Sequence, residues 1–508
     1  MARYKPYSYE QTKLIPISYD RQILPGTFEH TLSEVIDSMD MAIFERRYDN
    51  DTTGAPAYDP RILLKVILYA YSKGIIFSRR IAQCCCENVV FMALSADSRP
   101  HFTTIADFVS SMQEEIVSLF RHVLQICMEL DLVEGSMFAI DGVKLPSNAS
   151  KEWSGTKADL QKKREKLEAA LRYMVDQHRK RDKVEDDKDD DGKKFSQRLY
   201  RARKKIEKLD RWLGENSDRP GSRGRIVQSN VTDNESVKMK TSHGVLQGYN
   251  GLAVVDSKHQ VVTNAEAFSE GQDYNLLRPA LEGTKENFNA IGIGGDVLQG
   301  VVVTADTGFH TTENLAYLEG EKIDGYVPDS NFRKRDPRFA SAVRHKKRDC
   351  LSPWGKKLFD RTDFKYVKSA DYFICPAGNR LVHQTSDLTY GAVTYRKYAC
   401  KVSLCNTCTM HSRCLTQKHH KARSIFLRSD GGNKYCDRMA AKIDTVRGRT
   451  IYSKRMSIVE PVFGNLRWAK GLSRFTLRGK KKVNVQWLLY CMVHNIEKIC
   501  NFGQPAFA

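Results

Sequence analysis

No stretch of the sequence approaches roughly 18 uninterrupted apolar residues, so no helix is expected to span a membrane. The opening MARYKPYSYEQTKLIP lacks the apolar run of a secretory signal, and none is expected. A disulfide framework is missing as well. The 13 cysteines are odd in number, and Cys84, Cys85 and Cys86 are consecutive, a poor basis for pairing in a chain this long. A reducing cytoplasm is therefore the expected compartment. Acids are the class in shortest supply: 61 Asp and Glu face 81 Lys and Arg, leaving a net charge of +20. That imbalance points to a polyanionic partner. What is present is ordinary for a folded protein, with 41% hydrophobic and 10% aromatic residues, which excludes wholesale disorder. At 508 residues, two to four structural units are expected.

Residues 27 to 133 read as helices. Ile62, Leu63, Leu64, Val66, Ile67, Leu68 and Ile75 are too dense for a surface helix and suit a packed bundle. Ser78 is expected to cap a helix carrying Arg79 and Arg80, and Thr103 or Thr104 to cap one running through Phe108, Met112, Ile116, Leu119 and Phe120. Helices so spaced could form a helix-turn-helix-like DNA-binding unit. At Ser136 the texture changes: SMFAIDGVKL reads as a buried strand with an acid at its end. Leu160, Leu167, Leu171 and Met174, then Leu199, Ala202, Ile206, Leu209 and Leu213, recur at helical spacing around the acidic stretch Lys183–Lys194. This predicts an antiparallel helical hairpin with a solvated tip. The run Gly248–Phe268 reads as a β-hairpin about a DSKH turn. Helical text follows, and then VLQGVVVTADTGF as a strand ending in Asp306, with a helix starting at Thr311 or Thr312. Residues 325–440 read as a loop-rich, Cys-containing insertion, and Arg449–Phe502 as helical, with Pro461 marking a kink or boundary after Glu460. The order of elements indicates a mixed α/β sheet.

Three acids stand out together. Asp141 and Asp306 each follow an apolar strand, where a sheet edge presents side chains to a cleft. Glu460 lies in a segment, Lys442 to Lys482, holding twelve Lys or Arg and only one other acid, Asp444. Three carboxylates suit a pair of Mg²⁺ ions, which take hard oxygen ligands and act in phosphodiester displacement. Asp141 is the candidate to bridge both ions, with Asp306 and Glu460 each completing one site. Asp306-Thr307-Gly308 also looks like the triplet of an aspartic protease. The chain has no second Asp-Thr-Gly or Asp-Ser-Gly, so that reading would require a symmetric dimer and leaves the charge unexplained.

Taken together, YDPRILLKVILYAYSKGIIFSRRI, HFTTIADF, FAIDGVKLPSNASK, GYNGLAVVDSKHQVV, VVTADTGF and Tyr452 through Phe463 resemble bacterial insertion-sequence transposases of the DDE class, in the RNase H-like, retroviral-integrase superfamily. The resemblance implies an RNase H-like mixed sheet with helices, preceded by an all-helical N-terminal domain and interrupted by a helical-hairpin insertion and a Cys-rich insertion. The expected boundaries are 1–133 for DNA recognition, 134–155, 226–324 and 441–508 for the split catalytic domain, 156–225 for the hairpin and 325–440 for the Cys-rich part. Catalytic and metal-binding roles are implied for Asp141, Asp306 and Glu460, with two Mg²⁺ (or Mn²⁺) ions. Many of these enzymes carry a Tyr-Arg-Glu-Lys signature around the third acid. Tyr452 and Arg455 match it; four residues rather than three separate Arg455 from Glu460, Arg467 stands where Lys is common, and Lys470 lies one turn on. These bases, with Arg474, Arg478 and Lys480 of the basic segment, are the expected DNA contacts.

The implied activity is binding of the element's terminal inverted repeats, cleavage at its ends and joining of the 3′-hydroxyl to target DNA. Double-stranded DNA is the expected partner, with a homodimer or larger assembly formed on it. The implied location is the bacterial cytoplasm, at the nucleoid when DNA is bound. The rival of a different class is a transposase-derived DNA-binding protein that has lost catalysis. Separately, Cys375, Cys405, Cys408 and Cys414 have the spacing of a structural zinc ribbon, with Cys400 and His411 as alternative ligands.

Overall fold

A computed structural model describes residues 18–48, 56–181, 189–220, 226–242, 244–339, 341–342, 351–390, 393–428 and 434–503. The chain divides into two compact units, residues 1–303 with 454–508, and residues 304–453. Among the described residues no helix is long and apolar enough to cross a membrane.

The first unit opens with helices α1 (Phe28–Asp37), α2 (Pro60–Ser72), α3 (Ser78–Glu87), α4 (Val89–Leu94), α5 (Phe102–Ser111) and α6 (Gln113–Glu129). The start of α2 is written in YDPR: Pro60 needs no N–H at the first turn, and the Asp59 carboxylate accepts from Arg61 N–H at 2.7 Å. Leu63, Leu64, Val66, Ile67 and Leu68 are all buried, as their density requires. Two local expectations are corrected. Ser78 is the first helical residue rather than the cap, a role held by Phe77. The helix expected from Thr103 to Phe120 is two, because Met112 leaves helical geometry (φ −88°, ψ 62°), and His101 caps the first of them.

The sheet of this unit is built on β1 (Met137–Pro146), β2 (Val237–Thr241), β3 (Gly244–Asp256) and β4 (Val262–Phe268). Long β3 pairs antiparallel with β1, β2 and β4. The expected hairpin is therefore β3–β4. β1 runs on past the acid, which places Asp141 mid-strand instead of at an end. α7 (Lys157–Arg181) and α8 (Asp189–Glu215) form the helical hairpin. Of its acidic tip, residues 183–188 lie outside the described residues. Its apolar contacts gather at the base, where Leu160, Leu209, Trp212 and Val231 are buried together.

The sheet is backed by α9 (Leu277–Ala290) and by α13 (Lys480–Phe502), which packs on α1, α2, α6 and β4. α13 is buried from Trp487 to Ile496. It also supplies hydrogen bonds to strand backbone. Asn495 Oδ1 accepts from Val262 N–H and its Nδ2 donates to Val262 O, both at 2.8 Å, while Asn484 Oδ1 accepts from Ala267 N–H. Trp487 Nε1 donates to Leu252 O, and a Cβ at Gly251 would stand 3.1 Å from its ring. The outer strand β4 is thus closed by side chains, which removes an open sheet edge.

In the second unit, β5 (Val302–Ala305) gives this unit its last two residues, beside β6 (Asp324–Tyr326), and α10 (Thr312–Gly320) packs on α11 (Lys434–Asp444). Thr311 caps α10 by accepting from Asn314 N–H at 3.2 Å. The stretch expected to be loop-rich holds a five-stranded antiparallel sheet: β7 (Lys365–Val367), β8 (Tyr372–Ile374), β9 (Arg380–Tyr390), β10 (Val393–Ala399) and β11 (Ser424–Arg428). Its core is Phe364, Phe373, Leu381, Tyr398, Cys400 and Ile425. The Tyr366 and Tyr398 hydroxyls both donate to Asp371 Oδ1 at 2.6 Å, and these bonds hold its carboxyl below the usual range.

Helix α12 (Val446–Gly464) continues through Pro461, so no boundary falls after Glu460. Proline has no N–H for the Ser457 carbonyl. Gln260 Nε2 donates to that oxygen at 3.0 Å and satisfies it. A π turn, Asn465–Ala469, follows directly.

Candidate active site and nucleic-acid interface

Asp141 faces Ala253 across the sheet, and its side chain is 18% exposed. Oδ1 accepts from Gly142 N–H at 2.9 Å, and Oδ2 accepts from Arg455 Nη1 at 2.8 Å. The Arg455 side chain, 11% exposed, reaches the strand from α12. At this distance and burial the pair is a charge-assisted hydrogen bond, stronger than a surface ion pair. Gly142 is required beside it, because a Cβ would stand 2.7 Å from Asn250 Oδ1. Asn250 is fully buried and donates Nδ2 to Asp273 at 2.6 Å. Its Oδ1 has no hydrogen-bond partner among the described residues. A buried oxygen left so costs roughly 1–3 kcal/mol.

Asn250 and Asp273 were missed in the sequence. GYNGL shows a polar residue inside an apolar strand, the one signal that could have found Asn250. Asp273 lies between strand and helix with nothing in its neighbours to mark it.

Glu460 lies on α12 in the same unit and is exposed. Five residues from Arg455, it is about 140° around the helix, so the side chain that α12 brings to Asp141 is the guanidinium. Asp306 belongs to the second unit. It caps a short 3₁₀ turn, Thr307–Phe309, by accepting Gly308 N–H at 2.7 Å. Among the described residues no group of three or more His, Cys, Asp or Glu side chains is gathered as a metal site.

The expected DNA contacts fall into different settings. Tyr452, in the second unit, lies edge-on to Phe332 at 5.3 Å. Arg467 is exposed on the π turn, beside Trp468 at 85% exposure. Lys470 is corrected: it is 1% exposed and paired with Glu497, with Asn465 Oδ1 3.1 Å from Nζ, and presents no ammonium to solvent. Burial lowers its pKa, and Glu497 opposes that. Arg474 donates to Asn148 Oδ1 at 3.0 Å and Arg478 to Asn148 O at 3.2 Å, so both gather at the loop after β1. Lys480 is paired with Glu266 at 2.9 Å. Beneath this cluster Asp233 accepts from Tyr249 OH and Gly479 N–H; burial raises its pKa, and those bonds partly offset the rise.

Two family models match the chain. One, a transposase DDE domain, spans residues 374–500, and the other, a transposase domain (DUF772), spans residues 17–111. These two matches support an insertion-sequence DDE transposase. Glu460 lies within the first match; Asp141 and Asp306 lie outside both. No curated protein matches the chain. DNA is the partner that matches to transposase domains imply.

Proposed function

We propose that this transposase cleaves DNA at the ends of its own element and joins the freed 3′-hydroxyls to target DNA, on an RNase H-like catalytic domain. The observation that carries this reading is the Asp141–Arg455 pair: a largely buried strand carboxylate already facing a cation. A carboxylate that already accepts a cation fits a hard divalent ion. Asp141, Asp306 and Glu460 would hold two Mg²⁺ (or Mn²⁺) ions. When bound, these supply activation of the attacking oxygen and stabilisation of the leaving one.

The chain's own residues do the remaining work. Arg455 orients the Asp141 carboxylate, and can turn to a DNA phosphate when another cation takes its place. Asn250, fixed by Asp273, holds the backbone at Gly142 against the neighbouring strand. Arg474 and Arg478 grip phosphates, and Arg467 does so on the π turn. In the N-terminal helices, exposed Arg79 and Arg80 on α3 are the candidates for recognising the inverted repeats. Paired DNA ends imply a dimer or larger assembly.

The test is cleavage of a DNA fragment carrying the element end, with Mg²⁺ or EDTA, comparing wild type with Asp141→Asn and Glu460→Gln. Metal-dependent nicking at the boundary, lost in both variants while DNA binding persists, is expected. Nicking that survives in Glu460→Gln would displace that residue. Tight binding without wild-type cleavage would favour a DNA-binding protein that no longer transposes.

A further inference from the structure

Five cysteines from separate stretches of the second unit line one cavity. Cys375 follows β8, Cys400 follows β10, Cys405 and Cys408 lie in and after a short helix, and Cys414 ends the next. The cavity measures about 20 Å³. A single water needs roughly 10–15 Å³, so this space takes one small particle. Its other lining is mainly apolar, including Phe359, Leu381, Met410 and Leu415.

The backbone around Cys375 is shaped for a thiolate. Cys375-Pro376-Ala377-Gly378-Asn379 forms a tight knuckle: Gly378 N–H donates to Cys375 O at 2.8 Å, and Cys375 N–H to Asn379 O at 2.9 Å. Gly378 takes φ +80°, which favours glycine. The turn delivers Asn379 N–H to Cys375 Sγ at 3.3 Å. A neutral thiol is a weak acceptor, whereas a metal-bound thiolate carries the charge that such a donor stabilises. Arg423 lines the same cavity and donates to Cys414 O at 3.1 Å. Its buried Nε has no hydrogen-bond partner among the described residues. A guanidinium there balances a site of net negative charge.

We propose that Cys375, Cys405, Cys408 and Cys414 bind one structural Zn²⁺, with Arg423 offsetting the charge of four thiolates. Four sulfurs in a tetrahedron select zinc or iron, and a closed set without an open position is structural. Cys400 is left outside the ligand set: it lines the same cavity beside Cys405, but at 3% exposed it is a member of the apolar core with Phe373, Leu381, Tyr398 and Ile425, on which the half-buried Cys375, Cys405 and Cys414 pack. His411 also lines the cavity, and its ring packs against Trp354 at 5.3 Å. The thiols share the cavity without closing on a common point; the ion draws them together. Its role is to tie the end of β8 to the two short helices. This site is separate from the carboxylates and does not depend on their role.

The experiment is elemental analysis of the full chain, purified without chelator from zinc-replete cells, followed by exchange into Co²⁺. About one zinc per chain is expected. The Co²⁺ form should show the intense visible bands and sulfur-to-metal charge transfer of a tetrahedral thiolate site. Cys405→Ser and Cys408→Ser should lose the metal, whereas Cys400→Ala and Cys86→Ala should keep it. Should the serine variants fail to fold, titrating wild type with a mercurial thiol reagent serves instead, with about one zinc released per chain expected once the thiols are consumed. Absence of metal, iron in place of zinc, Co²⁺ spectra without sulfur bands, or zinc loss in Cys400→Ala would each overturn the assignment.

Discussion

His494 ties stability of the first unit to protons. It is 1% exposed, with one ring nitrogen 2.9 Å from Gln260 O and the other 2.9 Å from Asn465 Nδ2. A carbonyl on one side and an amide N–H on the other require the neutral ring, with the proton on Nε2. Burial, first, and the nearby Lys498 and Lys470 push its pKa down to about 3; the bond to Gln260 opposes them. The unfolded ring titrates near 6.5, so between these values the unfolded chain binds the extra proton. The contribution is present above about pH 6.5 and is lost as pH falls toward 3. Urea unfolding should show about 2 kcal/mol less stability at pH 5 than at pH 7 from this residue. His494→Gln, whose amide can serve both partners, should lose that difference; an unchanged pH slope would place the linkage elsewhere. Residues of this kind divide what a sequence reveals from what it hides. Asp141 was legible because an acid ending an apolar run is anomalous in itself. Asn250 and Asp273 matter through neighbours far away in the chain, and Lys470 looked like a phosphate ligand until Glu497 was found beside it.

Elements were legible where the pattern is local. Dense aliphatics marked α2, and alternating runs about DSKH marked the β3–β4 hairpin. The five-stranded sheet of the second unit escaped because β9 and β10 pair with register shifts between His383 and Thr385 and between Thr385 and Leu388, which break strict alternation. Pro461 misled for a different reason: its defect is repaired from outside the helix. Gln260, held at φ +62°, supplies the donor that proline cannot, so the two positions should be energetically coupled. Gln260→Ala is expected to lower stability by about 1 kcal/mol. Adding Pro461→Ala, which restores an N–H for Ser457 O, should recover that loss. Strict additivity in this double-mutant cycle, read by urea unfolding, would mean the side chain does not compensate for the proline.

Across the whole molecule the +20 charge is not spread evenly over free cations. Lys470 is buried against Glu497 and Lys480 is engaged by Glu266, while Arg474 and Arg478 cluster at Asn148. DNA affinity should therefore depend on a few arginines more than on total charge. Reversing both in Arg474→Glu/Arg478→Glu should weaken binding and flatten log K against log salt by roughly 2, about 0.9 for each phosphate that an arginine no longer neutralises. An unaltered slope would route the DNA over another surface. Lys480→Ala should change the slope less. The division into two units was not legible, since it depends on which distant segments pack together.

That division has a consequence for the order of events at the ribosome. The first unit is completed by residues 454–508, after residues 304–453 have built the other. Until α13 emerges, β4 has no Asn484 or Asn495 to close its backbone, and α2 and α6 lack the cover that α13 gives them. A nascent chain can finish its Cys-bearing sheet early but must hold its N-terminal helices and Asp141 strand open. Maturation of the Asp141 site, with Arg455 and α13, thereby follows synthesis of the Cys-bearing unit, so that a chain interrupted before residue 454 would carry the strand acid without the helices that complete its surroundings.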